Sequence, residues 1–270
     1  MVATGTRANM CSLPMRPRDQ VKLVVDLAGS GKSPLAISRA TGIPRSTIRD
    51  WLAGRVPSGR AADESACPAC GAPQHRFESL PPEYVYLLGL YLGDGCISAH
   101  PRGVYRLRLF FDVRYPKILA AGEAAVRSVF PANRINRLPR SGRYENSAPR
   151  SNVELSVYSK TLLCLFPQHG PGRKHERPIV LEEWQRGLVA ERPEQLLKGL
   201  IHSDGCRFLN TGRNWRHPRY SFSNKSDDIR AIFRDACDLV GVRWTTAPRS
   251  VYVSRVRDVA LLDEFIGPKG

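Results

Sequence analysis

The sequence predicts an α+β fold in which one structural unit occurs twice, preceded by a small all-α domain. Three observations support this prediction. Segments 86–98 and 195–208 share a Gly-Leu core and the tripeptide Asp-Gly-Cys. Each segment is followed by an alternating strand, a polar turn and an amphipathic helix, so the repeat is helix, strands, helix, strands, helix. Residues 18–54 instead favour three short helices separated by Gly and Pro turns.

The chain carries a large excess of positive charge. Its 270 residues include 41 Lys and Arg against 25 Asp and Glu, a net charge of +16. Such an excess favours a polyanionic partner, above all nucleic acid, although a basic surface without a specific partner is the alternative. No segment resembles a signal peptide or a membrane span. We therefore expect a cytoplasmic, nucleoid-associated protein with reduced thiols and no membrane partner.

Composition divides the chain into five segments. Residues 1–15 lack periodicity and are expected to form a flexible tail. The three helices occupy residues 16–58, and residues 59–82, rich in Gly, Pro and Ala, are expected to form a linker. The first copy of the repeat covers residues 83–190 and the second covers residues 191–270.

The first helix of each copy carries small residues along one face. Gly89 and Gly93 stand four residues apart, and Gly199 and Ser203 occupy the equivalent positions in the second copy. Small residues at this spacing lie on one helix face and let two helix backbones approach closely. We therefore expect these four residues to form the interface between the two helices.

Both of these helices end in Asp-Gly, which places Asp94 and Asp204 at helix C-termini. The helix macrodipole disfavours a carboxylate at that end. Side-by-side packing of the helices also brings the two carboxylates together. Such an arrangement costs stability unless cations neutralise it, so the pattern favours a divalent-metal site over a purely structural role.

Leu87–Gly95 and Leu197–Gly205 resemble the motif of the LAGLIDADG homing endonuclease family in its single-chain, two-repeat form. The resemblance covers roughly residues 83–267. It implies two pseudo-symmetric αββαββα units whose sheets form a saddle over double-stranded DNA, in a monomer that needs no homodimer. It also implies a site-specific DNA endonuclease, a hydrolase of phosphodiester bonds, in which Asp94 and Asp204 bind Mg²⁺ or another divalent cation.

The resemblance extends to a third catalytic residue. The family tends to place a Lys near the start of the helix that follows the last strand of a repeat, and Lys160 matches that place; an exposed strand-end lysine is the alternative. The sequence departs from the family motif at its sixth position, where Leu92 and His202 replace Asp. That position is not the metal ligand, and we expect His202 to be a hydrogen-bonded core residue.

The predicted strands carry basic residues for DNA contact. Arg106 and Arg108 alternate with leucines, so both project from one sheet face. On a DNA-binding saddle, arginine reads guanine edges while other basic groups hold phosphates. The other DNA-binding residues predicted in the repeats are Arg114, Arg219 and Lys225. A solvated basic face is the alternative for each of them.

Residues 37–51 resemble a helix-turn-helix, with a turn glycine and apolar residues at the positions that pack the two helices together. The second helix of that motif would present Arg45, Ser46, Thr47 and Arg49 to the DNA major groove. A three-helix protein-interaction module is the alternative.

Cys67 and Cys70, followed by His75, provide half of a zinc-binding knuckle. A closed zinc site needs a fourth ligand, and a free pair of thiols is the alternative. The candidates for the fourth ligand, all distant in sequence, are Cys11, His100, His169 and His175. Cys164 and Cys237 lie in apolar segments and are expected to be small buried hydrophobes.

Two functions follow from these motifs. The first is a metal-dependent DNA endonuclease. The alternative is a DNA-binding transcriptional regulator that combines a catalytically silent LAGLIDADG scaffold with the helix-turn-helix. Some bacterial sporulation regulators are similar and typically lose the acids at the helix ends. Both acids are present here, which favours cleavage. No separate feature supports a third role, in RNA splicing.

Overall fold

A computed structural model describes residues 18–55, 67, 69–71, 75–140 and 152–267. The expected flexible tail lies outside these residues. The chain divides into two compact units, Met1–Ala66 and Cys67–Gly270. This division falls inside the predicted linker, so the cysteine pair belongs to the second unit.

The first unit contains three helices: α1 (Arg18–Gly29), α2 (Pro34–Thr41) and α3 (Arg45–Leu52). Helix α2 begins after Ser33, whose hydroxyl accepts the Ala36 N–H at 3.3 Å. It ends at Gly42, whose φ of 68° is readily adopted by glycine. The small apolar core of the unit consists of Val24, Ile37, Ile43, Ile48 and Trp51.

The first repeat of the second unit has seven elements. They are α4 (Glu83–Leu92), β1 (Cys96–His100), β2 (Val104–Asp112), α5 (Pro116–Val129), β3 (Ile135–Arg140), β4 (Asn152–Ser159) and α6 (Leu162–Leu165). The strands form an antiparallel sheet in the order β1-β2-β4-β3.

After an inserted helix α7 (Glu183–Glu191), the second repeat has the same element order. Its elements are α8 (Pro193–Asp204), β5 (Gly205–Gly212), β6 (Trp215–Ser223), α9 (Asp227–Leu239), β7 (Thr245–Ala247), β8 (Ser250–Val253) and α10 (Val256–Phe265). The second sheet has the order β5-β6-β8-β7, which matches the first. The predicted α+β architecture of two αββαββα repeats is confirmed.

One continuous apolar core runs through both repeats. Helix α4 is buried from Tyr84 to Leu92 because it is apolar on all sides, as expected for a helix enclosed by other elements. It packs against α8, and β2 contributes Leu107 and Leu109 to the same core. In the described part of the chain, no helix is both long and apolar enough to cross a membrane.

Candidate functional site

Helices α4 and α8 touch backbone to backbone at two glycines. A Cβ added to Gly199 would lie 2.3 Å from the Tyr86 carbonyl oxygen, and one added to Gly89 would lie 2.7 Å from the Leu196 carbonyl oxygen. These distances are far below van der Waals contact, so neither position has room for a side chain. The small residues predicted for the interface therefore lie where the two helices meet.

The same contact continues to the ends of the helices. A Cβ on Gly93 would lie 2.5 Å from the Ser203 Cβ and 3.4 Å from the Asp204 Cγ. The Ser203 hydroxyl donates to the carbonyl oxygens of Gly199 and Leu200, each at 3.0 Å. It is thus held inside its own helix, and the ends of α4 and α8 lie side by side.

The carboxylates of Asp94 and Asp204 are neighbours but differ in environment. Asp94 is exposed, whereas Asp204 is partly buried and accepts a hydrogen bond from Asn224 Nδ2 at 2.5 Å. Burial, reinforced by the charge and proximity of Asp94, raises the pKa of Asp204 to about 6, against the opposing effects of Asn224 and Lys174. The pair therefore retains repulsion that a bound cation would relieve.

Lys174, in the connection between the repeats, is a cation that the sequence analysis missed. Its Nζ donates to the carbonyl oxygens of Tyr91, of Leu92 at 3.0 Å and of Gly93 at 2.6 Å. Three acceptors use all three N–H donors of the ammonium. The charge thus sits at the negative end of the α4 dipole. Burial lowers the pKa of Lys174 to about 8, although the two carboxylates oppose that shift.

The structure does not bring Lys160 to the carboxylates. Lys160 is exposed in the bend that follows β4, one residue beyond the Tyr105–Ser159 pair. The residue of β1 at the same height in the sheet is His100, the last residue of that strand. His100 lies four residues, roughly 13 Å, along the strand from Cys96. Among the described residues, the charge of Lys174 acts on both carboxylates, and a catalytic role for Lys160 stays a prediction.

An open cavity of about 400 Å³ adjoins the carboxylate pair, and Asp94, Asp112 and His202 contribute to its lining. His202 is hydrogen-bonded on both ring nitrogens. Its Nε2 lies 3.2 Å from the Ile266 carbonyl oxygen, and its Nδ1 lies 2.9 Å from the Tyr86 hydroxyl. A carbonyl oxygen only accepts, so Nε2 carries a hydrogen and donates it to Ile266. His202 is therefore hydrogen-bonded, as expected, but it is only partly buried and lines the cavity instead of the core.

The sheet faces opposite the helices carry arginines in similar settings in both repeats. Arg106 lies 5.3 Å from the centre of the Tyr158 ring, and Arg219 lies 5.1 Å from the centre of the Tyr252 ring. Arg106 also donates to the buried Glu154 carboxylate at 2.6 Å. Part of its charge is therefore already neutralised within the sheet. That buried acid was not anticipated from the sequence.

The residues predicted to contact DNA in the two repeats differ in how exposed they are. The Nε atoms of Arg106, Arg108 and Arg219 are buried without a hydrogen-bond acceptor among the described residues. Lys225 is exposed in the turn after β6, directly following the Asn224 that contacts Asp204. Arg114 is exposed in the turn after β2 and forms a 2.6 Å ion pair with Asp112.

In the first unit, α3 presents Arg45, Ser46 and Arg49 to solvent, while Thr47 is partly buried. Ile48 and Trp51 turn to the opposite side of this helix and enter the small core. The four residues expected to contact DNA are thus polar positions outside that core.

Cys67, Cys70 and His75 lie together with Cys164 in one cluster whose ligand atoms are all within 4.8 Å of one another. Cys164 is only partly buried, so the expectation of a simple core residue is wrong; Cys237 is fully buried, as expected. The proposed fourth ligands His100, His169 and His175 are not in this cluster, and Cys11 lies outside the described residues.

Lys174, Asn224 and Cys164 were missed because tertiary packing, not sequence spacing, brings them to these sites. The only local signal for Lys174 is a basic run in a Pro- and Gly-rich connection, 171–178. The local signal for Cys164 was that it is a further cysteine in the unit that contains the incomplete ligand set of Cys67, Cys70 and His75.

Comparisons with known proteins bear on the fold alone. No family model and no curated protein matches the sequence. Among solved structures, the homing endonuclease I-WcaI bound to its DNA recognition sequence is 12% identical, with a TM-score of 0.46 over 70% of this chain and 83% of that one. The N-terminal LAGLIDADG domain of DUF199/WhiA is also 12% identical, with a TM-score of 0.41 over 69% and 82%.

Full-length DUF199/WhiA from Thermatoga maritima gives a TM-score of 0.42 at 12% identity, covering 71% of this chain and 59% of that one. The element order of the two repeats, their matching sheets and the glycine contact between α4 and α8 are features of this chain itself. The chain thus consists of two αββαββα repeats joined through their first helices, and these solved LAGLIDADG structures are similar to it.

Proposed function

We propose that this protein binds double-stranded DNA and hydrolyses phosphodiester bonds at the Asp94 and Asp204 carboxylates with a divalent cation. The single observation that carries the proposal is the adjacency of these two carboxylates at the ends of closely packed helices. Burial and mutual repulsion raise the pKa of Asp204 to about 6. A divalent cation held by the two carboxylates would relieve this repulsion.

The residues present fit such a cation. Both side chains offer oxygen, which Mg²⁺ prefers, and one or two carboxylates are the usual protein contribution to a Mg²⁺ site that keeps several waters. Asp94 and Asp204 would hold the cation, and the exposure of Asp94 leaves one side open to solvent and substrate. When bound, a divalent cation activates water and stabilises the leaving oxygen of a phosphodiester.

The protein's own side chains would orient and balance this centre. Asn224 holds the Asp204 carboxylate through its amide and fixes the direction of one carboxylate oxygen. Lys174 is proposed as a basic residue of the centre in addition to Lys160. It offsets negative charge at the end of α4, where a phosphate would add more. The contact at Gly89 and Gly199 keeps the two carboxylates close.

We place the DNA over the outer faces of the two sheets. The net charge of +16 supports this placement. Arg106, Arg108 and Arg219 are partly exposed in the strands of these sheets and would contact the DNA. Exposed Lys225 and Arg114 would hold phosphates. Both halves of the centre come from one chain, so the proposed active form is a monomer.

The first unit would add contacts through a helix-turn-helix. The exposed polar positions on α3, above all Arg45 and Arg49, have the character of a recognition helix. They would extend the DNA site beyond the length covered by the repeats and raise the affinity for it.

A DNA-binding regulator with a silent centre is the second candidate, and Lys174 favours it. Its ammonium already supplies positive charge beside the carboxylates and is fully satisfied by the end of α4. A protein that needs no metal could use this internal cation in its place. In that case Mg²⁺ would leave the melting temperature unchanged, and the same DNA would be bound without cleavage.

The test begins with selection of bound duplexes from a random double-stranded DNA library by the full chain. The selected duplexes are then incubated with Mg²⁺ and either the wild type or the Asp94→Asn, Asp204→Asn double variant. We expect the wild type to cut and the double variant to bind without cutting. A control with Asp235→Asn and Glu191→Gln removes the same charge from exposed helix positions and should cut like the wild type.

The outcomes separate the two candidates. Tight binding of selected DNA by the wild type, with no strand cut in Mg²⁺ or Mn²⁺, would overturn the nuclease proposal and leave the regulator. Affinity that does not change between low and high salt would contradict DNA binding altogether, because contacts with several phosphates release counterions and give a steep salt dependence.

A further inference from the structure

Four metal-binding side chains from distant parts of the second unit meet beside α6. Cys67, Cys70 and His75 precede α4, and Cys164 lies in α6. The Cys67 and Cys164 sulfurs are 3.6 Å apart, and the Cys70 sulfur is 3.3 Å from His75 Nε2. We propose that these four side chains bind one structural Zn²⁺, with Cys164 as the fourth ligand.

Two of the ligand separations agree with a tetrahedral zinc site. Zinc–sulfur bonds of about 2.3 Å and zinc–nitrogen bonds of about 2.0 Å place two sulfurs about 3.8 Å apart, and a sulfur and a nitrogen about 3.5 Å apart. The separations of 3.6 Å and 3.3 Å are within a few tenths of an ångström of those values. A disulfide needs a sulfur–sulfur bond of about 2.05 Å, so the Cys67–Cys164 contact is not one.

The backbone around the first two ligands has the form of a metal-binding turn. The Gly71 N–H donates to the Cys67 carbonyl oxygen at 2.7 Å, and Gly71 has a φ of 67°. The N–H groups of Ala69 and Cys70 face the Cys67 sulfur. Donors aimed at sulfur stabilise a thiolate, which is the form that binds metal.

The other two ligands are held by packed neighbours. The His75 ring stacks on Phe77 at 5.2 Å, and Phe77 stacks on Trp184 of α7 at 4.1 Å. Beside Cys164, the Leu165 carbonyl oxygen accepts a hydrogen bond from the buried Tyr84 hydroxyl at 2.6 Å. Packing and hydrogen bonds of this kind preorganise a ligand set.

The site would tie the first residues of the second unit to the end of the first repeat. Cys67 and Cys164 are 97 residues apart in sequence, so the metal closes a long loop. Binding free energy at such a site contributes directly to folding. Three sulfurs and one imidazole select zinc over Mg²⁺, which prefers oxygen, so this site and the carboxylate pair would bind different metals.

The test measures zinc by elemental analysis in the full chain, purified under reducing conditions without added metal. We expect one zinc per chain. After removal of the metal, Co²⁺ should produce the absorption of a tetrahedral thiolate site, and the melting temperature should fall until zinc is restored. Competition with a coloured chelator then gives the zinc affinity of the variants.

Cys164→Ser and His75→Ala should each weaken zinc binding at least about 100-fold, since even partners outside the ligand shell are worth 10–100-fold. Cys206→Ser is the matched control, because Cys206 is exposed in the second repeat and should not affect zinc affinity. A stripped wild type that binds neither zinc nor Co²⁺ tetrahedrally would overturn the proposal. So would unchanged zinc affinity in Cys164→Ser.

Discussion

Replacing Gly199 with alanine tests whether the two repeats depend on the contact between α4 and α8. The added Cβ would lie 2.3 Å from the Tyr86 carbonyl oxygen, against about 3.4 Å for ordinary contact, and its neighbours are backbone atoms that cannot rotate away. One helix must therefore shift by about 1 Å. Overpacking of this kind costs up to about 3 kcal/mol. Alanine recovers about 1 kcal/mol of helix propensity, which leaves a net loss of about 2 kcal/mol.

Gly187→Ala provides the matched control. Gly187 is exposed within α7, and nothing lies within 4 Å of a Cβ added there. The same substitution should stabilise the protein there by up to about 1 kcal/mol. Urea unfolding of the full chain, followed by far-ultraviolet circular dichroism and tryptophan fluorescence, measures both changes. A Gly199→Ala protein as stable as Gly187→Ala would refute the close approach of the two helices.

Two further predictions concern the carboxylate pair and the DNA surface. Because the pKa of Asp204 is raised to about 6, the folded protein binds a proton more tightly than the unfolded chain does, and stability falls as pH rises from about 4 to 7. Asp204→Asn should remove that loss, up to about 3 kcal/mol at pH 7.5 and none near pH 4, in urea unfolding without added Mg²⁺. Parallel pH profiles for the two proteins would contradict this prediction. Lys225→Ala should weaken binding of all DNA sequences and reduce the slope of log affinity against log salt by about 0.9. The control variant Arg127→Ala on α5 should leave this slope unchanged. An unaltered slope in Lys225→Ala would exclude Lys225 as a phosphate contact.

The sequence was sufficient to predict the repeats because each position of the motif has a local physical reason. Gly89 and Gly199 are spaced for close helix contact, and Asp94 and Asp204 follow directly at the helix ends. Alternation of polar and apolar residues in β2 similarly predicted that Arg106 projects away from the core. The three short helices expected within residues 18–54 are also present, and the turns between them contain the expected Gly and Pro residues.

The site residues that the sequence did not predict depend on contacts between distant segments of the chain. Lys174 approaches the end of α4 from the connection between repeats, a segment with no counterpart in the repeat pattern. Cys164 has apolar neighbours that suggested burial, and its proximity to Cys67 depends on packing across 97 residues. Glu154 occupies a polar position in the strand pattern opposite Phe110, and its ion pair with Arg106 of the neighbouring strand forms only in the folded sheet. Long-range contacts of this kind leave no local periodicity.

The two halves of this molecule are alike in topology but not in detail. One helix-end acid is exposed, and the other is partly buried against Asn224. In a homodimer every substitution appears twice, so symmetric dimers bind symmetric, palindromic sequences. A single chain has no such constraint, because a change in one repeat leaves the other unaltered. For the proposed DNA-binding role, the consequence is a target whose left and right halves differ, with each half able to change without the other.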